Sequence, residues 1–64
     1  MTGFHAVPRG ATWAVRRAGG LRALKTRLTR DEAWCDARRR ARAAGAVAYL
    51  FDKTGRIVAR EAAR

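Results

Sequence analysis

Thr29-Arg30-Asp31-Glu32-Ala33-Trp34-Cys35-Asp36-Ala37-Arg38-Arg39-Arg40-Ala41-Arg42-Ala43-Ala44-Gly45 is the stretch on which the fold turns. It opens as a capping box: the Thr29 hydroxyl is placed to accept the Glu32 amide hydrogen, which would otherwise have no partner at a helix start. Asp31 and Glu32 fall in the first turn and Arg38, Arg39, Arg40 and Arg42 in the second half, the arrangement that complements a helix dipole. Gly45 stands where a left-handed residue ends a helix. The spacing predicts a helix over 30–44. Ala33, Trp34, Ala37, Ala41 and Ala44 recur at intervals of three and four as its inward stripe. Apart from Trp34 that stripe is small, so the helix is expected to lie close against a sheet.

On the amino-terminal side, Phe4-His5-Ala6-Val7 has strand composition, and Pro8-Arg9-Gly10-Ala11 supplies a turn. Thr12 to Arg17 alternates, with Trp13 and Val15 on one face and Ala14 and Arg16 on the other. Ala18-Gly19-Gly20 closes a second hairpin. Leu21 to Leu28 then reads as a third strand, with Leu24, Thr26 and Leu28 on one face and Ala23, Lys25 and Arg27 on the other. Beyond Gly45, Ala46 to Phe51 is a β-rich run, Asp52-Lys53-Thr54-Gly55 a turn, and Arg56 to Arg60 a return strand. The expected fold is α+β, two-layer, with one helix packed on an antiparallel sheet in the order β-β-(β)-α-β-β.

Sixty-four residues allow one small domain, residues 1–64, with 60–64 expected to fray. Hydrophobic residues make up 48% of the chain, but 15 of those 31 positions are alanine, so the core is thin. The net charge is +10, from 15 Lys and Arg against 5 Asp and Glu; such a field attracts polyanions and disfavours cationic substrates. Residues 1–30 carry Arg9, Arg16, Arg17, Arg22, Lys25, Arg27 and Arg30 and no acid. The single cysteine, Cys35, forms no intramolecular disulfide and builds no zinc site, which points to a reducing interior. No apolar run approaches the roughly 18 residues of a membrane span, and no secretory signal is read at the start. A cytoplasmic, bacterial protein with no membrane association is expected.

If Trp13, Val15, Leu24, Leu28 and Ile57 face the helix, the pleat sends Arg16, Lys25, Arg27, Arg56 and Arg60 to the opposite face. Arg17 and Arg22 extend this basic set. Guanidinium groups bind phosphate bidentately, and His5 or Tyr49 would stack on bases between them. Solvation alone would as easily use mixed signs. Arg38, Arg39 and Arg42 form a secondary basic patch, in which Arg39 and Arg42 are also placed to pair with Asp36 or serve the helix carboxyl end. Arg40 lies near the apolar stripe, where its stem would pass the sheet edge. His5 and Cys35 are the candidate base and nucleophile, but neither has an acid placed by a motif to orient it. Metal-ligand spacing and a phosphate-binding glycine loop are absent from the sequence. No catalytic residue, metal, cofactor or small-molecule substrate is therefore expected.

In order along the chain, His5-Ala6-Val7-Pro8, Trp13-Ala14-Val15-Arg16, Thr29 with Glu32-Ala33, Gly45 and Thr54-Gly55-Arg56-Ile57 resemble an uncharacterised bacterial domain-of-unknown-function family. Its members read H-V-V-P, G-W-x-V-K, T-x-x-E-A and D-G-R-I. The resemblance covers residues 4–60. It departs at Ala11-Thr12, where the family has glycine before tryptophan, and at Arg40, where it has leucine. It implies a fold and no activity. Trp13 to Ala44 is also similar to the amino-terminal arm-binding domains of phage-type tyrosine recombinases. In those a three-stranded sheet backed by a helix enters the major groove, which implies contact roles for Arg16, Lys25 and Arg27.

The expected function is that of a small non-enzymatic binder of DNA or RNA, working mainly through phosphate contacts. With no Asn or Gln in the chain, sequence preference is expected to be weak. The alternative is a protein-interaction module or homodimer, joined through Val47, Tyr49 and Phe51 or through an uncovered strand edge.

Overall fold

The computed structural model describes residues 3–20 and 22–62. The elements are β1 (Gly3–Arg9), β2 (Thr12–Arg17), β3 (Lys25–Arg27), α1 (Arg30–Ala44), β4 (Val47–Phe51) and β5 (Ile57–Ala62). The fold is α+β in the expected order: α1 packs on one face of a five-stranded sheet whose spatial order is β3-β2-β1-β4-β5.

The sheet is mixed where an antiparallel one was expected. β1–β2, β2–β3 and β4–β5 are antiparallel, but β1 and β4 run parallel. The cause lies in α1. A helix between two strands of one sheet carries the chain back to its starting end, so β4 runs in the direction of β3 and therefore of β1.

The helix ends are built as the sequence predicts. The Glu32 amide donates to Thr29 Oγ1 at 3.2 Å. At the other end Gly45 has φ 65°, and the Ala46 and Gly45 amides return to the Ala41 and Arg42 carbonyls at 2.8 and 3.4 Å. This is the Schellman closure, and its left-handed residue is one that glycine adopts without strain. Ala33, Ala37 and Ala41 are buried against Phe4, Ala6, Val15, Ala46, Ala48 and Leu50, with Trp13, Trp34 and Ala59 packed around them. Ala44 lies outside that stripe and is exposed.

Four local differences from the sequence pattern matter for the site. Pro8 is a strand residue opposite Trp13 and not part of the turn. The β1–β4 ladder has already ended at Ala6 and Leu50, so no neighbour on that side needs its missing N–H. The third strand shrinks to Lys25–Arg27 with its pleat inverted: Lys25 and Arg27 lie opposite Val15 and Trp13 on the helix side, and Thr26 opposite Ala14 on the open side. Leu21, the expected start of that strand, lies outside the described residues. Leu24 and Leu28 are exposed, at 42% and 77%. Finally, the β4–β5 register shifts between Leu50 and Phe51, which puts Ile57 opposite Phe51 on the open side while Ala59 stays opposite Leu50. Strand pairing also covers residues 60–62, where a loose tail was expected, through Tyr49–Arg60, Ala48–Glu61 and Val47–Ala62. Residues 63 and 64 lie outside the described residues.

A buried carboxylate explains the inverted pleat. Asp36, on the edge of the alanine stripe, has a side chain only 1% exposed. Its Oδ2 accepts from Arg27 Nε at 3.1 Å, and its Oδ1 accepts from Arg39 Nη2 at 2.8 Å and Arg40 Nε at 2.9 Å. A carboxylate removed from water needs such partners, and Arg27 reaches it only from the helix side of the sheet.

Candidate nucleic-acid interface

The face of the sheet turned away from α1 follows directly from the registers. Phe4, Ala6 and Val15 pack under the helix, so the intervening residues of each strand point the other way. Arg16 pairs with His5, His5 with Tyr49, and Tyr49 with Arg60, forming one row across β2, β1, β4 and β5. Three inter-strand spacings put its two arginines roughly 14 Å apart at the backbone. The next row holds Ala14 opposite Val7, and Phe51 opposite Ile57.

The middle of this face is aromatic. The His5 ring meets Tyr49 edge-on with centroids 5.4 Å apart and lies tilted against Phe51 at 4.8 Å. Gly3 makes room for the cluster, since a Cβ there would come within 3.2 Å of the Tyr49 ring. Burial among these rings, and then the positive charge of Arg16, hold the His5 pKa below its ordinary 6.5. The imidazole is therefore neutral at pH 7 and presents an uncharged flat ring between two arginines.

Of the basic residues singled out in the sequence, Arg16 and Arg60 stand on this face. Lys25 and Arg27 do not; the first is exposed on the helix side and the second is committed to Asp36. Arg17 lies opposite Phe4 at the end of β2, Arg22 in the β2–β3 connection and Arg56 in the β4–β5 turn, all three exposed. The helix patch is largely paired. Arg39 joins Asp36, while Arg42 and Arg38 reach Glu61 on β5 at 3.2 and 3.9 Å. Arg38 also lies over the Trp34 ring, 5.3 Å from its centroid. Arg42 thus pairs with Glu61 and not with Asp36. Among the described residues, Arg9, Arg16, Arg17, Arg22, Lys25, Arg30, Lys53, Arg56 and Arg60 make no ion pair.

Arg9, Lys53 and Phe51, which the local pattern does not assign to this face, flank it at one end of the sheet. Phe51 was legible in principle, because it is two residues beyond Tyr49 and shares its side of β4. Arg9 and Lys53 come together only because two turns meet there.

Cys35 is exposed on α1, and among the described residues no three of His, Cys, Asp and Glu are grouped to hold a metal. Among them, too, no helix is long and apolar enough to cross a membrane. No curated protein and no solved structure matches the chain. A family model described as "Uncharacterized protein conserved in bacteria (DUF2188)" matches residues 4–63, and the chain belongs to that family.

Proposed function

We propose that this member of the DUF2188 family is a non-enzymatic nucleic-acid-binding protein that uses the open face of its sheet. The observation that carries the reading is the row Arg16, His5, Tyr49, Arg60. Two arginines with no acidic partner among the described residues flank rings that are packed together and that no second layer of those residues covers, which is the combination a phosphate chain with exposed bases requires. Arginine pairs with phosphate in bidentate geometry whatever the base, and the rings present faces that any base can stack on. Binding is therefore sequence-tolerant. Arg22 and Arg56 lie exposed beyond the row and add to the attracting field; Arg17 and Lys25 do so from the other side of the sheet.

The test is a titration of labelled DNA duplex, DNA single strand and RNA at low and high salt, with light scattering alongside. The expected result is micromolar binding at low salt that weakens steeply as salt rises, with a slope set by the number of phosphates engaged. Absence of salt-sensitive binding to every polynucleotide would dispose of the reading.

A second reading, self-association, is favoured by one observation: Ile57 and Val58 on the edge strand β5 are 53% and 54% exposed. A pair of β5 edges in isologous contact would cover them. In the same experiment this predicts a doubled mass that persists at high salt.

A further inference from the structure

The sheet opens at the carboxyl ends of its one parallel pair. The β1–β4 ladder stops at Ala6 and Leu50. Beyond it β1 turns into β2 on one side and β4 turns into β5 on the other. Adjacent parallel strands whose continuations leave in opposite directions create a crevice at their carboxyl ends, the usual ligand position in open sheets. Here two adjoining hollows of about 560 and 550 Å³ share Pro8, Phe51, Asp52 and Lys53 as lining. The first extends to Trp13 and Arg30 on the helix side, and the second to Arg9 and Arg16 on the open side.

The chemistry of the lining is specific in kind. Trp13, Phe51 and Pro8 offer flat apolar surface. Arg9, Arg16, Arg30 and Lys53 offer four cations without acidic partners among the described residues. The one acid, Asp52, is turned into its own loop, where Oδ1 accepts from the Thr54 amide, the Thr54 hydroxyl and the Arg56 amide at 2.8, 2.7 and 3.0 Å. A flat ring carrying a phosphate fits this lining. Arg16 belongs both to the crevice and to the row on the open face, so the two form one continuous surface.

We propose that the crevice receives one unpaired nucleotide of a single strand lying on the open face, its base against Trp13 or Phe51 and its phosphate toward Lys53 and Arg30. The assignment rests on the nucleic-acid reading above and narrows it: a base in a duplex is held by its partner and cannot enter the hollow.

The experiment follows protein resonances by NMR during titration with an oligothymidylate strand, a DNA duplex of equal length and thymidine 5′-monophosphate. The strand is expected to shift the Trp13 indole and the Gly10 and Lys53 amides together with Arg16 and Tyr49, and to bind about tenfold tighter than the duplex, the worth of one stacked base. Lys53→Ala changes an exposed turn residue and is expected to weaken the strand several-fold and the duplex by less. Shifts confined to Arg16, Tyr49 and Arg60 would overturn the crevice and leave the open face standing. Duplex binding as tight as the strand would overturn the single-strand assignment, and monophosphate binding as tight as the strand would make the crevice a free-nucleotide site instead. No shift with any of the three would remove both readings.

Discussion

Three guanidinium groups converge on the Asp36 carboxylate at the boundary between helix and sheet. Burial alone would raise its pKa, but the hydrogen bonds from Arg39 and Arg27 and the charge and bond of Arg40 outweigh it and hold the group below its ordinary 3.8. A carboxylate whose folded value lies below its unfolded one binds fewer protons when folded, so stability rises with pH across that interval. The contribution is complete above about 3.8 and is lost as pH falls through the lower, folded value. Asp36→Asn keeps the shape and removes the charge. It is expected to cost about 2 kcal/mol, less than a fully buried pair because the arginines keep substantial exposure. In a domain this small that lowers the thermal midpoint by about 10 °C. Melting curves of wild type and variant between pH 2 and 6 check both parts: the wild type converges on the variant at the acid end, and equal midpoints at pH 6 would refute the role given to Asp36.

The helix is the element most fully written into its own sequence. Thr29, Glu32 and Gly45 act within a few residues of where they stand, and the caps they form depend on no distant partner. Thr29→Ala is expected to cost about 1 kcal/mol in urea unfolding, because one amide at the helix start loses its acceptor. The third strand is the opposite case. Only three residues long, it carries too little alternation to specify a face. Its pleat is set by Arg27 reaching Asp36 nine positions along the chain. Arg27→Ala is therefore expected to destabilise by about 1.5 kcal/mol, and Lys25→Ala by no more than about 0.5 kcal/mol. Equal losses from the two would mean that Arg27 has no special hold on the strand. The shift between Leu50 and Phe51 works in the same direction, since one extra residue turns Ile57 away from the helix while keeping Arg60 on the open face.

At the scale of the whole molecule, charge is divided between the two sides of the sheet. On the helix side Asp36 and Glu61 absorb Arg27, Arg38, Arg39, Arg40 and Arg42. Arg16 and Arg60 on the other side have no acidic partner among the described residues. Removing each group should therefore have different consequences. The double variant Arg16→Ala/Arg60→Ala is expected to keep its thermal midpoint, to bind polynucleotide more weakly at low salt and to flatten the slope of log affinity against log salt by about 1.5 units. Arg38→Ala/Arg42→Ala is expected to lose stability through Glu61 and less affinity. If the helix variant lost more affinity than the sheet variant, the open face would not be the binding surface.

Local order in the chain was enough to determine the helix with both caps, the succession of strands before and after it, the basic field and the pairing of Trp13 with Val15 on the core side. Each of these depends on neighbours one to four residues apart, the range over which hydrophobic period and capping chemistry act. The tertiary structure decided which arginines are available. Arg27 is withdrawn by a carboxylate on another element, Arg38 and Arg42 by Glu61 on β5, and the crevice at Phe51 and Lys53 exists only because α1 returns the chain to run β4 parallel to β1. Ion pairs and crevices of this kind join residues far apart in sequence, and no local pattern encodes which partner a flexible cation will meet once the elements have packed.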